Sequence, residues 1–475
     1  MLTTTVSRLG LRISRVFAAS APDPFVLAVL LTIAVAMVAL LVGDFEGAGA
    51  GIGAEPGTPR PTLLLDAWRG DAGLWKFLAF SMQMCLILVT GHALASSKPV
   101  SRAVASLAAL PKNGAQAAAM VGLVAASAGL VNWGLGLIVG ALLARDVGRS
   151  LARRDIPAHY PLIVAAGYMG MMVWHGGFSG SAPLSVTGKE QAQMVFPASD
   201  LVTLESIGWI PLSQTLLSPL NLFVTGGLLL LIPVVLWVLT PHDPEQCRTY
   251  DDVAELLVGE ASVRTTAIKN VPEWLERTPP LAWLLAIFLV IGLVRFGGDK
   301  GFNSLGLNEV NAAMLALGLI MHGSLASYAK AVEDGAKGCA GIIVQFPLYA
   351  GILAMLSLSG LIARFSGGLA LGGETGVPLF SFLSAGIVNF FVPSGGGQWG
   401  IQGPIALQAG LDAGVAPGKM VMAVAYGDQL TNMLQPFWAL PLLAITGVKA
   451  RDIVGYTAIV MLAAVAWVTV GLLVF

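Results

Sequence analysis

The chain has 475 residues, of which 56% are hydrophobic and 11% charged, with a formal net charge of −1. Soluble domains carry roughly 25% charged residues, so a water-soluble globule is excluded, and the near-neutral balance supplies no field to attract nucleic acid or a polyanion. The three cysteines, Cys85, Cys247 and Cys339, form neither a disulfide framework nor a zinc-ligand pattern.

In chain order, Arg8, Arg12 and Arg15 precede an apolar run at about 25–43 that lacks a small-residue cleavage pattern, which predicts a retained first span with a cytoplasmic N-terminus. Residues 44–73, rich in Gly and Pro, read as an external loop. Further apolar segments fall at about 77–95, 117–144, 160–186, 215–240, 280–297, 310–323, 338–360, 380–411, 418–446 and 453–475, many of them long enough to cross a bilayer as a helix. Placing 1–20, 96–116, 145–159, 324–337 and 447–452 in the cytoplasm gives that side 14 Lys and Arg against 5 in the external loops, as the positive-inside rule requires. Between 241 and 279 lies a polar connector with eight acidic and four basic residues. Its run Ala254-Glu255-Leu256-Leu257-Val258 predicts an amphipathic helix on the cytoplasmic surface.

Segment 117–144 has Lys98, Arg102 and Lys112 before it and Arg145, Arg149, Arg153 and Arg154 after it. Both ends favour the cytoplasm, so the segment is predicted to enter, turn near Asn132-Trp133-Gly134 and return. A second interruption, Asn389 to Pro393-Ser394-Gly395-Gly396-Gly397, lies in 380–411, and Val131-Asn132 matches Val388-Asn389 at an offset of 257 residues. Tyr168 and Pro183-Leu184 recur as Tyr426 and Pro441-Leu442 at an offset of 258. The expected fold is therefore an all-α polytopic membrane protein of two inverted-topology repeats, 1–240 and 280–475, each with a re-entrant hairpin. Paired interrupted segments point to the midplane binding site of a secondary transporter.

Broken helices expose backbone N–H groups and the positive end of the helix dipole, which suits a carboxylate without a basic side chain. On this reasoning Asn132, Trp133, Gly134, Asn389, Ser394, Gly395, Gly396 and Gly397 are candidate substrate-binding residues; the competing reading is that they only allow close helix packing. Asp428 is the one carboxylate well inside a predicted span, where insertion scales charge about 2.5–3.5 kcal/mol for it. It is a candidate proton carrier or Na⁺ ligand, with Asn432 nearby; a structural acid is the alternative. Its first-half counterpart is Gly170, so the halves are not chemically equivalent. In Trp174-His175-Gly176-Gly177-Phe178-Ser179-Gly180-Ser181, Ser179 and Ser181 could bind a carboxylate and His175 could relay a proton. Gln83 and Gln345 could satisfy backbone groups at the tips, and His92 and His322 read as structural. Trp133, Trp174, Trp399, Phe437 and Trp438 could wall an apolar pocket. No Lys or Arg lies near the middle of a span, which suits a monoanion better than a di- or tricarboxylate.

Within transport, the rival readings are a carrier of another small organic anion, such as a dicarboxylate, and a cation antiporter; outside transport the rival is an intramembrane hydrolase. Gly177-Phe178-Ser179-Gly180 matches a rhomboid-type Gly-x-Ser-Gly, and Gly427-Asp428 an aspartyl-protease motif. The acid lacks a second membrane Asp, and His175, four residues before Ser179, is expected on the same helix. Neither a catalytic residue nor a cofactor is predicted, apart from a coupling H⁺ or Na⁺; a channel conflicts with the closed, apolar tips.

The motifs Met82-Gln83-Met84, Val89-Thr90-Gly91-His92-Ala93-Leu94-Ala95-Ser96-Ser97, Val131-Asn132-Trp133-Gly134, Gly176-Gly177-Phe178-Ser179-Gly180-Ser181, Val344-Gln345-Phe346-Pro347, Val392-Pro393-Ser394-Gly395-Gly396-Gly397, Ile401-Gln402-Gly403-Pro404 and Gln435-Pro436-Phe437-Trp438-Ala439-Leu440-Pro441 together resemble the bacterial short-chain fatty acid transporter family over nearly the whole chain. Gln398 departs from that pattern. The resemblance implies uptake of acetoacetate- and butyrate-like monocarboxylates across the bacterial inner membrane. It further implies a scaffold with a moving transport domain, an elevator-like cycle and a homodimer.

Overall fold

The computed structural model describes residues 24–45, 55, 57–195, 205, 207–241, 243, 245, 247–254, 270–301, 305–361, 364, 372–391 and 395–475. Ser394, and Glu255 to Val258 of the expected connector helix, lie outside these residues. The principal helices are α1 (Pro24–Val42), α2 (Arg60–Arg69), α3 (Leu78–Ser96), α4 (Lys98–Ala108), α5 (Gly114–Val131), α6 (Trp133–Ala152), α7 (Tyr160–Gly167), α8 (Pro219–Leu239) and α9 (Pro279–Lys300). They continue with α10 (Leu307–His322), α11 (Leu325–Ala336), α12 (Ala340–Leu358), α13 (Gly373–Phe391), α14 (Gly395–Asp412), α15 (Pro417–Thr431), α16 (Pro436–Thr446) and α17 (Ala450–Val474).

Six helices among the described residues are long and apolar enough to cross a membrane. Helices satisfy their own backbone groups, which is what an apolar solvent demands. They differ in what they face: 72% of the apolar window of α3 is buried inside the protein, but only 11% of that of α9. α9 accordingly turns Leu284, Phe288, Ile291 and Val294 outward, while α3 contributes Phe80, Met84, Ile87 and Leu88 to the core.

α5 and α6 form an antiparallel helical hairpin that reverses at a single residue. Asn132 has extended backbone (φ −159°, ψ 130°) and serves both helices, its N–H closing the last turn of α5 on Ala128 and its Oδ1 accepting from Leu135 N–H at the start of α6. Asn is favoured at an N-cap because its short side chain reaches an otherwise unpaired N–H. The arms lie so close that a Cβ on Gly136 would fall 2.5 Å from the Gly129 Cα, an approach open only to glycine. At the other end, Arg154, just beyond α6, donates from Nη2 to the Pro111 carbonyl at 2.7 Å, just before α5. Both ends of the hairpin thus sit together. α13 and α14 make a second hairpin, in which Gln398 Nε2 donates to the Ala385 carbonyl at 2.7 Å across the pair. Both hairpins are longer than the apolar cores 117–144 and 380–411, because their outer turns are polar.

Two segments expected as continuous spans are broken. In 160–186, α7 ends at Gly167 and gives way to the 3₁₀ turns Met169–Met172 and Trp174–Gly176 and a short helix, Ser181–Ser185. In 418–446, α15 ends at Thr431, a 3₁₀ turn covers Asn432–Leu434, and α16 starts at Pro436. Pro436 cannot continue the hydrogen-bond ladder, and the glycines at 176, 177 and 180 weaken helix in the first segment.

Candidate functional site

Unwound backbone inside a membrane protein needs partners for its N–H and C=O groups, and here the two breaks supply one another. The Tyr168 hydroxyl donates to the carbonyls of Asn432 and Gln435, at 3.1 and 3.2 Å. Gln429 Oε1 accepts the His175 backbone N–H at 3.1 Å, and Gln435 Nε2 reaches the Asn389 carbonyl near the end of α13 at 2.7 Å. Asn221, in the first turn of α8, donates to the Gly176 carbonyl at 3.0 Å and accepts from the Tyr426 hydroxyl at 3.1 Å.

The segment 174–181 is the hub. Phe178 N–H donates to the Leu130 carbonyl at the end of α5, at 2.7 Å, and Ser179 Oγ accepts from Trp133 N–H at the start of α6, at 2.9 Å. Gly395, the first residue of α14, packs on its other side: a Cβ there would fall 2.6 Å from both His175 Nε2 and Ser181 Oγ. Starts of helices from both hairpins therefore converge on one short unwound strand.

His175 and Ser181 are buried and bonded to each other, Nε2 to Oγ at 2.9 Å. Nδ1 lies 3.1 Å from the Ala425 carbonyl, which can only accept, so Nδ1 carries the proton of the neutral ring and Nε2 accepts from the Ser181 hydroxyl. The indole of Trp174 stacks on the imidazole at a centroid separation of 3.8 Å. Asp428 Oδ1 stands 3.6 Å from His175 Nδ1, too far for a formed hydrogen bond. Neither Asp428 oxygen accepts a hydrogen bond from the protein, and at 1% exposure it is the only buried Asp, Glu, Lys or Arg among the described residues.

Asn389 binds the turn that carries this acid. Its Nδ2 donates to the Asp428 carbonyl, Thr431 Oγ1 and Asn432 Oδ1 at 2.8, 2.9 and 3.0 Å, while Asn389 Oδ1, Asn432 Nδ2 and Gln429 Nε2 are left without protein partners. Buried polar groups are nearly always bonded, so such a concentration beside an unpaired carboxylate makes this cluster the candidate site.

The structure thus brings His175, Ser181, Gly395, Asp428, Asn389 and Asn432 into one cluster. Asn132, Trp133 and Ser179 adjoin it through the Trp133–Ser179 bond; Asn132 Nδ2 is buried and unpartnered. Trp133 meets Trp438 edge-on at 5.3 Å. Gly134 abuts the Ile87 carbonyl and Leu88 Cα of α3, and Gly396 abuts the Phe80 ring; Gly397 is buried in the same first turn of α14. Away from the cluster, Gln83 donates to Asn308, Tyr349 donates to Gln345, and His322 contacts the Ala93 carbonyl. The expected helix joining His175 to Ser179 is replaced by irregular backbone, and the serine that reaches the imidazole is Ser181. Sequence reasoning passed over Gln429, Tyr168 and Asn221. An Asn in the first turn of an otherwise apolar span, and a Gln next to the single buried acid, were the available signals.

Residues 5–475 match the family described as short chain fatty acid transporter. A protein of Escherichia coli (strain K12), provisionally named a short-chain fatty acid transporter, is 37% identical over 476 residues, covering 99% of this chain and 100% of its own length. A Haemophilus influenzae protein with the same provisional name is 36% identical over 442 residues, covering 92% of each chain. Among solved structures, the Alcanivorax borkumensis YdaH transporter aligns with a TM-score of 0.48 at 16% identity, over 94% of this chain and 98% of its own. Neisseria gonorrhoeae MtrF aligns with a TM-score of 0.39 at 13% identity, over 97% of each.

Proposed function

Because this chain belongs to the short chain fatty acid transporter family, we propose that it is a secondary active transporter of short-chain monocarboxylates, of the acetoacetate and butyrate type, driven by a cation gradient. The observation that carries this reading is the carboxylate of Asp428, the one buried acid among the described residues, set among unpartnered amides where the first turn of α14 meets His175 and Ser181. The substrate carboxylate is held by neutral donors: the Ser181 hydroxyl, the N–H groups opening α14 with Ser394 just before them, and the unpartnered Nδ2 of Asn132; Asn389, whose Nδ2 is committed to the turn that carries Asp428, positions the acid. Its short alkyl chain lies against the aromatic wall of Trp174, Trp133 and Trp438. Asp428, supported by Asn432 and His175, carries the coupling charge, so that one cation and one monoanion cross together.

In this reading α5–α6 and α13–α14 are re-entrant hairpins of two inverted repeats, entering from opposite faces of the inner membrane. The hairpins and broken helices move as a transport domain against a scaffold that includes α9, in a homodimer with an elevator-like cycle. With no fixed cation beside the site, a dicarboxylate would bring a second charge that nothing neutralises. The test is competition against labelled butyrate in proteoliposomes holding the purified protein. Saturable uptake displaced by acetoacetate is expected; displacement by succinate or citrate, with acetoacetate inert, contradicts the substrate class.

A further inference from the structure

Ser181, His175 and Asp428 lie in line, Oγ to Nε2 at 2.9 Å and Nδ1 to Oδ1 at 3.6 Å, with the first residue of α14 packed on the Ser181–His175 bond. In the neutral ring the hydrogen of Ser181 is committed to Nε2, so Ser181 turns lone pairs toward Gly395. A carboxylate arriving there meets an acceptor where it needs a donor. Adding one proton to Nε2 reverses the bond. The new N–H donates to Ser181 Oγ, the hydroxyl hydrogen is freed to point at the incoming carboxylate, and the imidazolium, still carrying Nδ1–H, has Asp428 as its counter-charge.

We propose that Ser181, His175 and Asp428 form a proton-operated hydrogen-bond switch that makes a single proton and the substrate carboxylate bind together. The proposal rests on the transport reading above and deepens it by naming the coupling ion. The step balances: one N–H bond forms with a proton taken from water on the loading side, the His–Asp pair goes from net −1 to zero, and the same N–H bond breaks when that proton leaves with the acid on the other side. Nothing is oxidised or reduced. The remaining titratable groups on the elements packed around the site are the Tyr168 and Tyr426 hydroxyls, donated to carbonyl or amide oxygens, and Lys419, Asp412, Glu374, Arg145, Asp146 and Arg149, toward the ends of α15, α14, α13 and α6 that are remote from the site. The same three residue types serve as nucleophile, base and orienting acid in serine hydrolases. Here Nδ1 binds the Ala425 carbonyl rather than the acid, and the family is one of transporters.

The experiment measures the half-saturation concentration for butyrate exchange between equal pools in proteoliposomes, as a function of pH and after subtracting protein-free vesicles. Obligatory linkage to one proton makes the wild-type value rise with pH, approaching about tenfold per unit at the alkaline end. Ser181→Ala and His175→Asn should flatten this dependence, and Ser181→Thr, which keeps the hydroxyl, should retain it. A wild-type half-saturation that ignores pH but falls with added sodium overturns the switch and leaves cation-driven transport standing. A Ser181→Ala protein with the wild-type slope overturns it as well; if that variant fails to accumulate, His175→Asn and the wild type decide. Absence of butyrate exchange in the wild type removes the transport reading itself.

Discussion

Asn389 uses one amide nitrogen to hold the Asp428 carbonyl, Thr431 Oγ1 and Asn432 Oδ1, so a single side chain on α13 fixes the turn that presents the acid. Interhelical polar contacts in membranes average only about 0.6 kcal/mol, but here truncation removes the donor of three bonds at once and strands the buried Asn432 Oδ1, at a cost on the order of 1–3 kcal/mol. Asn389→Ala should therefore lower the midpoint of thermal unfolding of the purified protein clearly, and an unchanged midpoint contradicts this role. Gly395→Ala tests the neighbouring contact: its methyl would crowd His175 Nε2 and Ser181 Oγ at 2.6 Å, and butyrate exchange should fall by more than about tenfold, the equivalent of about 1.4 kcal/mol. Wild-type exchange in that variant contradicts a site at the start of α14. Asp428, His175 and Ser181 were legible in the sequence because charge, imidazole and hydroxyl are rare in apolar spans. That Ser181, and not Ser179, faces the imidazole was not legible, since it depends on how the backbone leaves the helix between residues 174 and 180.

At the scale of elements, the first hairpin rests on two sequence devices, the Asn132 cap and the glycines that let its arms touch. Gly136→Val would drive a branched side chain into the Gly129 backbone, and overpacking of this kind costs about 1–3 kcal/mol or more. The expected outcome is poor accumulation or a lowered unfolding midpoint, whereas Gly226→Val on α8, where a Cβ meets nothing within 4 Å, should be tolerated; equal behaviour of the two variants contradicts the packing account. The reversal at Asn132 could be read from the sequence because basic clusters on both sides demand that the chain return. The breaks after Gly167 and Thr431 could not. Glycines in the first segment and Gln435-Pro436 in the second are equally compatible with a kinked helix, and only the partners that satisfy the open backbone, Tyr168, Gln429, Gln435 and Asn221, make unwinding tolerable. Those partners lie up to 267 residues away in the chain.

For the whole molecule, composition alone indicated a bundle of membrane helices, and the basic loops predict an orientation that side-specific labelling tests. Single cysteines at Lys112 and Arg153, introduced with Cys247 replaced by Ser, should both react with an impermeant thiol reagent only from the cytoplasmic side; labelling of one from outside contradicts the hairpin topology. What composition could not convey is the asymmetry of the centre, where one buried acid in the second half faces a histidine and a serine from the first. That asymmetry is the basis of the claim that Asp428 couples substrate movement to a cation. The most direct measurement compares wild type and Asp428→Asn in proteoliposomes loaded with labelled butyrate for exchange, and then under an imposed inward cation gradient. The account predicts that Asp428→Asn still exchanges butyrate between equal pools, at a raised half-saturation concentration because the imidazolium has lost its counter-charge, but no longer accumulates it above equilibrium; accumulation to the wild-type level, with the same ion dependence, contradicts it.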